Sequence, residues 1–294
     1  MSKDRENKNQ VFRQGMAPEV TGQTGITTMT AAERMQKEFG IKIVPAEIVK
    51  LPSAGKIYSA ESGLAGREDI EIKAMTTREE DILTSRAFAK KGTTITELIK
   101  SCVVDKSVDV EHLVAGDRNA LMVAIRITGY GPKLKPEMKC PKCGETNHPE
   151  FDLSQVSIKS IGDDPVAPGV NEFACELPVT KAKTTFKLLT AKDEEDLVNQ
   201  HERKKKMLNS PIDTLMSDQL KMSLLSVNGK RDRAALAFFV DNMPGLDSKA
   251  LREKMIDIKP DVDMKQIFEC EFCDLIEEVE IPIDREFFWP RSSR

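Results

Sequence analysis

The spacing of apolar residues changes along this chain and divides it into three parts. Residues 1–40 carry Gln, Thr, Gly, Asn and charged residues with little periodicity. Such a segment has too little apolar surface to compensate the entropy lost when its backbone is ordered. The sequence therefore predicts a mobile N-terminal arm at 1–40, apart from a short helix at Ala31–Phe39.

Apolar, β-branched residues follow the arm and favour strands. Ile41–Val49 is one such run, and Leu51–Tyr58 is interpreted as a second strand that is broken by a turn. Ile70, Ile72 and Ala74 alternate with charged residues, which is typical of a strand that is buried on one face.

A helical period replaces this alternation after Met75. Thr76 and Glu79 fit a capping box, and so do Thr77 and Glu80. Gly92 is expected to end the helix. Two more helices are predicted, so residues 41–132 should form a strand-edged helical domain. The first carries Leu98, Ile99 and Cys102, and the second runs from about Asp117 to Gly129.

Strands and helices both recur in residues 133–294. A strand is predicted at Phe151–Val156, a strand pair at Phe173–Leu177 and Thr184–Leu189, and a last strand at Leu275–Ile283. Helical periodicity fills an insertion at about 191–258 and is interrupted by proline and glycine. The four predicted helices are Asp193–Leu208, Met216–Val227, Arg231–Asn242 and Lys249–Ile258, with Ser217 and Ser248 as plausible N-caps.

Two Cys-x-x-Cys pairs carry the clearest chemistry, Cys140 with Cys143 and Cys270 with Cys273. Each pair can turn tightly enough to offer two thiolates to one metal ion, and four thiolates complete the tetrahedral sphere that zinc prefers. The pairs are roughly 130 residues apart, whereas a compact site spans roughly 15–20. The expected fold class is therefore α+β: the strand-edged helical domain, then a four-cysteine zinc ribbon at 133–294 that is split by a long strand-and-helix insertion.

Other interpretations of these cysteines stay open at this point. The two pairs are also compatible with unrelated turns that carry reduced thiols, or with a disulfide between them. His148 follows Cys143 closely enough to replace one thiolate, although a solvated histidine before a strand is the favoured explanation. Four cysteines would leave no coordination position for water, so the predicted zinc is structural and not catalytic.

Composition and motifs give no support to an enzyme. The chain of 294 residues has 39% hydrophobic and 31% charged residues and a net charge of −4, which gives no general attraction to nucleic acid or to an anionic membrane. It has no His-Glu-x-x-His pattern, glycine-rich phosphate loop or nucleophile elbow. Neither a signal peptide nor an apolar run of roughly 20 residues is present, so we expect synthesis in a reducing cytosol without membrane contact.

Nucleic-acid binding is the function to test next, because many zinc ribbons have it. Four lysines lie near the first cysteine pair, but residues 261–294 hold four basic and ten acidic residues, a net of −6. Phosphates would be repelled from that half, so a zinc-ribbon nucleic-acid-binding protein is kept only as an alternative. The four lysines are Lys133, Lys135, Lys139 and Lys142.

The aromatic ending of the chain is unusual in a sequence with 5% aromatic residues. Phe287, Phe288 and the single tryptophan, Trp289, lie close to a terminus that would normally fray. They either fold back onto the ribbon as a hydrophobic latch or anchor a partner protein. Phe288 and Trp289 are the candidate partner-binding residues.

Several segments in this order resemble the baseplate hub assembly protein family of contractile-tailed bacteriophages, best known from the T-even phages. The resemblance covers roughly residues 48–150 well and the remainder loosely. It rests on Leu51–Tyr58, Ile70–Leu83, Gly116–Asn119, Arg126–Gly131, the turn at Cys140–Gly144 and the aromatic ending.

The resemblance implies a non-enzymatic role in the baseplate hub, either as a hub component or as an assembly factor. The implied partners are other tail or baseplate hub proteins, which the chain would meet in the host cytoplasm during assembly and, if it stays in the particle, in the virion tail baseplate. A third possibility is a transient chaperone of the tape-measure protein.

Overall fold

The computed structural model describes residues 36–40, 46–208, 214–283 and 285–288. The predicted arm at 1–40 lies outside these ranges except for its end, where residues 36–39 form one helical turn that agrees with the predicted helix at Ala31–Phe39. By its contacts, the chain separates into a unit at 1–43 and a second, compact unit at 44–294.

The second unit is a mixture of antiparallel strands and helices, as the α+β prediction states. Its strands are β1 (Glu47–Lys50), β2 (Asp69–Ile72), β3 (Lys133–Leu134), β4 (Met138–Lys139), β5 (Thr146–Asn147), β6 (Phe151–Asp152), β7 (Ser157–Lys159), β8 (Phe173–Glu176), β9 (Lys183–Phe186), β10 (Leu224–Val227), β11 (Asp261–Asp263), β12 (Lys265–Glu269) and β13 (Ile276–Glu280). Its helices are α1 (Thr77–Thr84), α2 (Arg86–Lys91), α3 (Thr94–Cys102), α4 (Ala115–Tyr130), α5 (Ala191–Leu208), α6 (Leu215–Ser223), α7 (Arg233–Asn242), α8 (Gly245–Ile258) and α9 (Arg285–Phe288).

The first strand pair confirms one prediction and contradicts another. β1 and β2 pair antiparallel, and Ile70 and Ile72 are buried while their charged neighbours are exposed. The strand predicted at Leu51–Tyr58 is wrong, and only the turn expected to break it is confirmed, because this segment forms turns. Ala54 and Gly55 have φ angles of 50° and 68°, and a chain with left-handed backbone at two successive residues cannot continue a strand.

The predicted helices of the first half are confirmed, except that the first of them is divided into two helices. Thr76 and Glu79 form the capping box at the start of α1. Ser85 then adopts an extended backbone and its side chain caps α2, so the single predicted helix is two. Gly92 ends α2 in the left-handed conformation, with φ of 77°.

The strands of the second half are mostly short hairpin arms. β8 and β9 pair antiparallel as predicted. The helix predicted at Met216–Val227 is wrong in its last turn, because β10 joins β9 there and makes a three-stranded sheet. The strand predicted at Phe151–Val156 is limited to β6, after which Leu153–Gln155 forms a 3₁₀ turn.

The helices of the insertion lie close to their predicted positions, but two caps were misplaced. α6 begins after Thr214 and α8 after Pro244, so neither Ser217 nor Ser248 is an N-cap. One hydrophobic cluster runs through the unit and includes Leu121, Phe186 and Phe288. Side chains from both sides of the predicted boundary at 132–133 share this core, and the boundary itself stays a prediction.

Candidate metal centre

The first cysteine pair occupies the turn of the β4–β5 hairpin. The backbone N–H of Cys140 donates to the carbonyl of Glu145 at 2.9 Å, and that of Gly144 donates to the carbonyl of Cys140 at 2.9 Å. Gly144 has a φ of 78°, which a side chain would make costly. The turn therefore holds Cys140 and Cys143 on one loop, with both sulfurs at its tip.

The second pair repeats this arrangement in the turn between β12 and β13. The backbone N–H of Cys270 donates to the carbonyl of Leu275 at 3.0 Å, the same five-residue offset as in the first turn. The N–H of Phe272 also donates to the Cys270 Sγ at 3.4 Å, an interaction that favours a thiolate. Two equivalent hairpin turns thus present two cysteines each.

The fold brings these two turns together across more than 120 residues of sequence. Cys140 Sγ lies 3.7 Å from Cys273 Sγ, and Cys143 Sγ lies 3.7 Å from Cys270 Sγ. All four sulfurs lie within 4.8 Å of one another, and among the described residues they form the one group that contains at least three potential ligands. His148 is exposed and does not belong to it.

These distances match a tetrahedral metal site better than a disulfide. Zinc–sulfur bonds of about 2.3 Å in a tetrahedron place sulfurs about 3.8 Å apart, whereas a disulfide needs about 2.05 Å. All four cysteines are free thiols here. A zinc ion held by them would join the two hairpins, and the donor set fits that ion.

The protonation of the four sulfurs is uneven. Burial opposes ionisation of Cys270, but N–H donors that include Phe272, together with neighbouring thiols, lower its pKa to about 6. The Glu145 N–H favours the Cys143 thiolate, yet desolvation and the other three thiols raise the pKa of Cys143 to about 12. Four sulfurs this close cannot all ionise without a compensating cation.

A buried amide joins the two turns in addition to the sulfurs. Asn147, on β5, is 1% exposed. Its Oδ1 accepts the N–H of Glu271 at 2.8 Å, and its Nδ2 donates to the carbonyl of Glu145 at 2.9 Å. Sequence reasoning missed this residue, because a single polar side chain in a short hairpin strand gives no signal of burial.

The charges around the centre are strongly asymmetric. Lys133 and Lys135 both form ion pairs with Glu150, whose single negative charge offsets part of the basic group predicted near Cys140. The second turn keeps its acids: Glu269, Glu271 and Asp274 are exposed. The centre therefore offers little positive surface to a phosphate backbone.

The aromatic ending folds back onto α4. Phe287 and Phe288 are 3% and 1% exposed, and their rings pack edge to face at 5.5 Å. The buried guanidinium of Arg126 donates to the Phe287 carbonyl at 3.2 Å and also to the carbonyls of Gly131 and Lys133. Trp289 lies outside the described residues.

A buried carboxylate connects two of the segments that carry the family resemblance. Asp117, at the start of α4, is fully buried and accepts hydrogen bonds from the N–H of Ser53 at 2.9 Å, the Ser53 hydroxyl and the Tyr58 hydroxyl. The Tyr58 oxygen in turn accepts the N–H of Val114 at 3.0 Å. Desolvation raises the pKa of Asp117, so the network is a costly feature that orders the turns at 51–58.

The model of a family described as T4 bacteriophage base plate protein matches residues 45–289, most of the chain. No curated protein and no solved structure matches. Within the residues that the structure describes, none of the helices combines the length and the apolar composition needed to cross a membrane.

Proposed function

This chain belongs to the T4 bacteriophage base plate protein family and is thus a structural protein of a phage baseplate; we propose that it acts in the baseplate hub by docking other tail proteins. The match over residues 45–289 is the observation that carries the proposal. The assignment to the hub, and not to the baseplate in general, is supported by the motifs that resemble hub assembly proteins. The virion tail is the proposed destination.

The metal centre is proposed as a structural zinc site. Cys140, Cys143, Cys270 and Cys273 would be its four ligands, and their 3.7 Å sulfur separations support this role. A zinc ion bound there would fix two hairpins that are remote in sequence, which makes the metal part of the folding free energy. With four sulfurs in its sphere the ion would keep no position for water, so we propose a structural and not a catalytic role for the metal. The baseplate family supports the proposal that the protein itself is not an enzyme.

The aromatic ending is proposed to combine both predicted roles, one for each residue. Phe288 is 1% exposed and therefore has almost no surface to offer a partner, which supports a latch role for its side chain. Trp289, the next residue, is the candidate anchor for another tail protein. The carbonyl that Arg126 binds belongs to Phe287, immediately before this pair.

Two alternatives make different predictions about where the protein is found. A hub component stays in the particle, whereas a chaperone of the tape-measure protein leaves after assembly. Mass spectrometry of purified virions tests the proposal, and the expected result is this chain at a stoichiometry comparable to other baseplate proteins. Its presence in assembly intermediates but absence from virions would favour the chaperone.

Nucleic-acid binding is the alternative of a different class. The exposed acids of the second cysteine turn and the Lys133 and Lys135 ion pairs oppose it. A gel-shift titration with duplex DNA at several salt concentrations should show no complex. A salt-sensitive complex at micromolar protein would contradict the proposal.

A further inference from the structure

The hairpin β12–β13 exposes one face that carries both large apolar side chains and acids. Its register places Lys265 opposite Glu280, Ile267 opposite Glu278, and Glu269 opposite Ile276, all on that outer face. The alternate pairs lie on the inner face, where Phe268 is buried. The outer face is therefore a continuous surface and not a collection of loop residues.

Three large apolar side chains on this hairpin are open to solvent. Ile267 and Ile276 are 58% and 68% exposed, and they are diagonal neighbours on the outer face. Phe272, at the tip between Cys270 and Cys273, is 60% exposed. Scattered apolar residues are normal on a surface, but three within ten residues of one small hairpin form a cluster of the kind that marks interaction sites.

Most acidic side chains of the hairpin form no ion pair with a lysine or arginine of the described residues. Residues 265–280 hold one lysine and six acidic residues. Lys265 pairs with Glu278 at 3.2 Å, and the described part of the chain provides no ion pair for the other five acids. A zinc ion bound by four thiolates would add about two further negative charges beside them. The five are Glu269, Glu271, Asp274, Glu277 and Glu280.

The negative charge of the hairpin determines which kinds of molecule can bind to its outer face. A second copy of the hairpin would place its six acids and one lysine against the same excess of negative charge, and a phosphate backbone would be repelled as well. A complementary surface has apolar side chains for Ile267, Ile276 and Phe272 and positive ones for the surrounding acids. The strands β12 and β13 each also have one edge without a strand partner among the described residues, where an extended segment can add by backbone hydrogen bonds.

We propose that the outer face of the β12–β13 hairpin is a docking site for a protein segment that combines lysine or arginine with large apolar side chains. The proposal deepens the baseplate role and rests on it, because it names the surface and the chemistry of the partner. The metal centre would hold the hairpin rigid, so that the partner meets a preorganised surface.

Binding of a defined probe tests the face. The full chain is titrated against overlapping peptides that cover the tail proteins encoded by the same phage. We expect it to select peptides with clustered basic and apolar residues, and added salt should weaken that binding. Ile276→Ser should weaken it at least tenfold. Glu280→Lys should weaken it as well, because it reverses one of the charges on the face.

Matched controls separate the face from general effects. Ile256→Ser removes an isoleucine with a similar exposure of 64% on α8, and Glu61→Lys reverses an exposed acid outside the hairpin; both should bind as the unchanged protein does. Zinc content and melting temperature of every variant must match those of the unchanged protein. Selection of acidic peptides, selection of none, or equal weakening by the controls would overturn the proposal.

Complementation of a phage that lacks the gene keeps this proposal distinct from the baseplate role. If the unchanged gene restores plaques and Ile276→Ser restores them equally well, the docking face is wrong and the baseplate role stands. If loss of the gene leaves baseplates intact, the proposed function itself fails. Restoration by the unchanged gene and Ile256→Ser, but not by Ile276→Ser, supports both.

Discussion

The side-chain oxygen of Asn147 accepts a hydrogen bond from the backbone N–H of Glu271 at 2.8 Å, and this contact joins residues that are 124 positions apart in sequence. The same amide holds the carbonyl of Glu145 in its own hairpin. The two cysteine turns are therefore registered against each other by a buried side chain as well as by their sulfurs. Each cysteine turn therefore helps to fix the position of the other, and a metal ion would meet four sulfurs that are already close together.

Replacing Asn147 by alanine should weaken the centre without removing any ligand. The N–H of Glu271 and the carbonyl of Glu145 would lose a buried partner, which typically costs about 1–3 kcal/mol. We expect a lower free energy of unfolding in chemical denaturation and faster transfer of zinc to a chelator. Asn199→Ala, at an exposed position on α5, is the matched control and should change neither quantity. Unchanged zinc transfer in the Asn147 variant would show that the sulfurs alone set the geometry.

Purified protein should contain about one zinc per chain, and Cys273→Ser should lose it. Cys273 Sγ lies 3.7 Å from Cys140 Sγ, so its loss leaves three ligands and an open position. Metal analysis with native mass spectrometry measures the stoichiometry. Chelation should also lower the melting temperature, because the metal closes a long loop.

Cys175→Ser is the control for the zinc experiment, since Cys175 is a free thiol outside the four-sulfur group. This variant should retain its metal. A fully folded preparation without metal, with the same melting temperature before and after chelation, would contradict a structural zinc site.

The stability of the helical region should depend on Glu79 in acid. Its side chain is fully buried. Burial would raise its pKa, but hydrogen bonds from Lys73 at 2.6 Å, Ser101 at 2.6 Å and Thr76 lower it from the usual 4.5 to about 2. Folding thus favours the carboxylate, and the stabilisation is complete above about pH 5 and disappears as the pH falls towards 2.

The variant Glu79→Gln keeps the size of this side chain and removes its charge. The difference in free energy of unfolding between the two proteins should be roughly 2–3 kcal/mol near neutral pH and should shrink steadily below pH 4.5. Denaturant titrations at several pH values measure it, and loss of zinc in acid affects both proteins alike. Glu253→Gln, at a carboxylate that is 62% exposed, should show little difference at any pH. A Glu79 difference independent of pH would contradict the mechanism.

Local sequence signals anticipated much of this architecture. The capping box of Thr76 and Glu79, the glycine that ends α2 and the alternation of β2 are signals within a few residues, and each is confirmed. The two Cys-x-x-Cys pairs are equally local, and the expectation that they meet came from the chemistry of zinc. Their sulfurs do lie together, while the ion itself stays a prediction.

Features that depend on distant partners could not be found in this way. Leu224–Val227 continues a helical pattern in sequence, but Leu224 is fully buried and the Ser226 hydroxyl lies 2.7 Å from that of Thr185 on β9, so the strand pairing prevails. Asp117 orders the turns at 51–58 from a position 64 residues away. The sequence around a polar residue is the same whether its side chain faces solvent or a buried partner. Neither the Ser226 contact with Thr185 nor the contact of Asp117 with the turns therefore had a local signal.

The last two aromatic residues can be separated by comparing Phe288→Ala with Trp289→Ala. Phe288 is 1% exposed and packs against Phe287, so its truncation should leave a cavity and lower the free energy of unfolding by about 3–5 kcal/mol.

Trp289→Ala should leave the melting temperature and zinc content near their original values. If Trp289 is the anchor, its loss should weaken binding to a purified tail partner roughly 30-fold, which corresponds to about 2 kcal/mol. Phe288→Ala should affect binding only in proportion to the fraction of protein that is unfolded. A Trp289 variant with lowered stability and unchanged affinity would remove the anchor and make both residues parts of one internal latch.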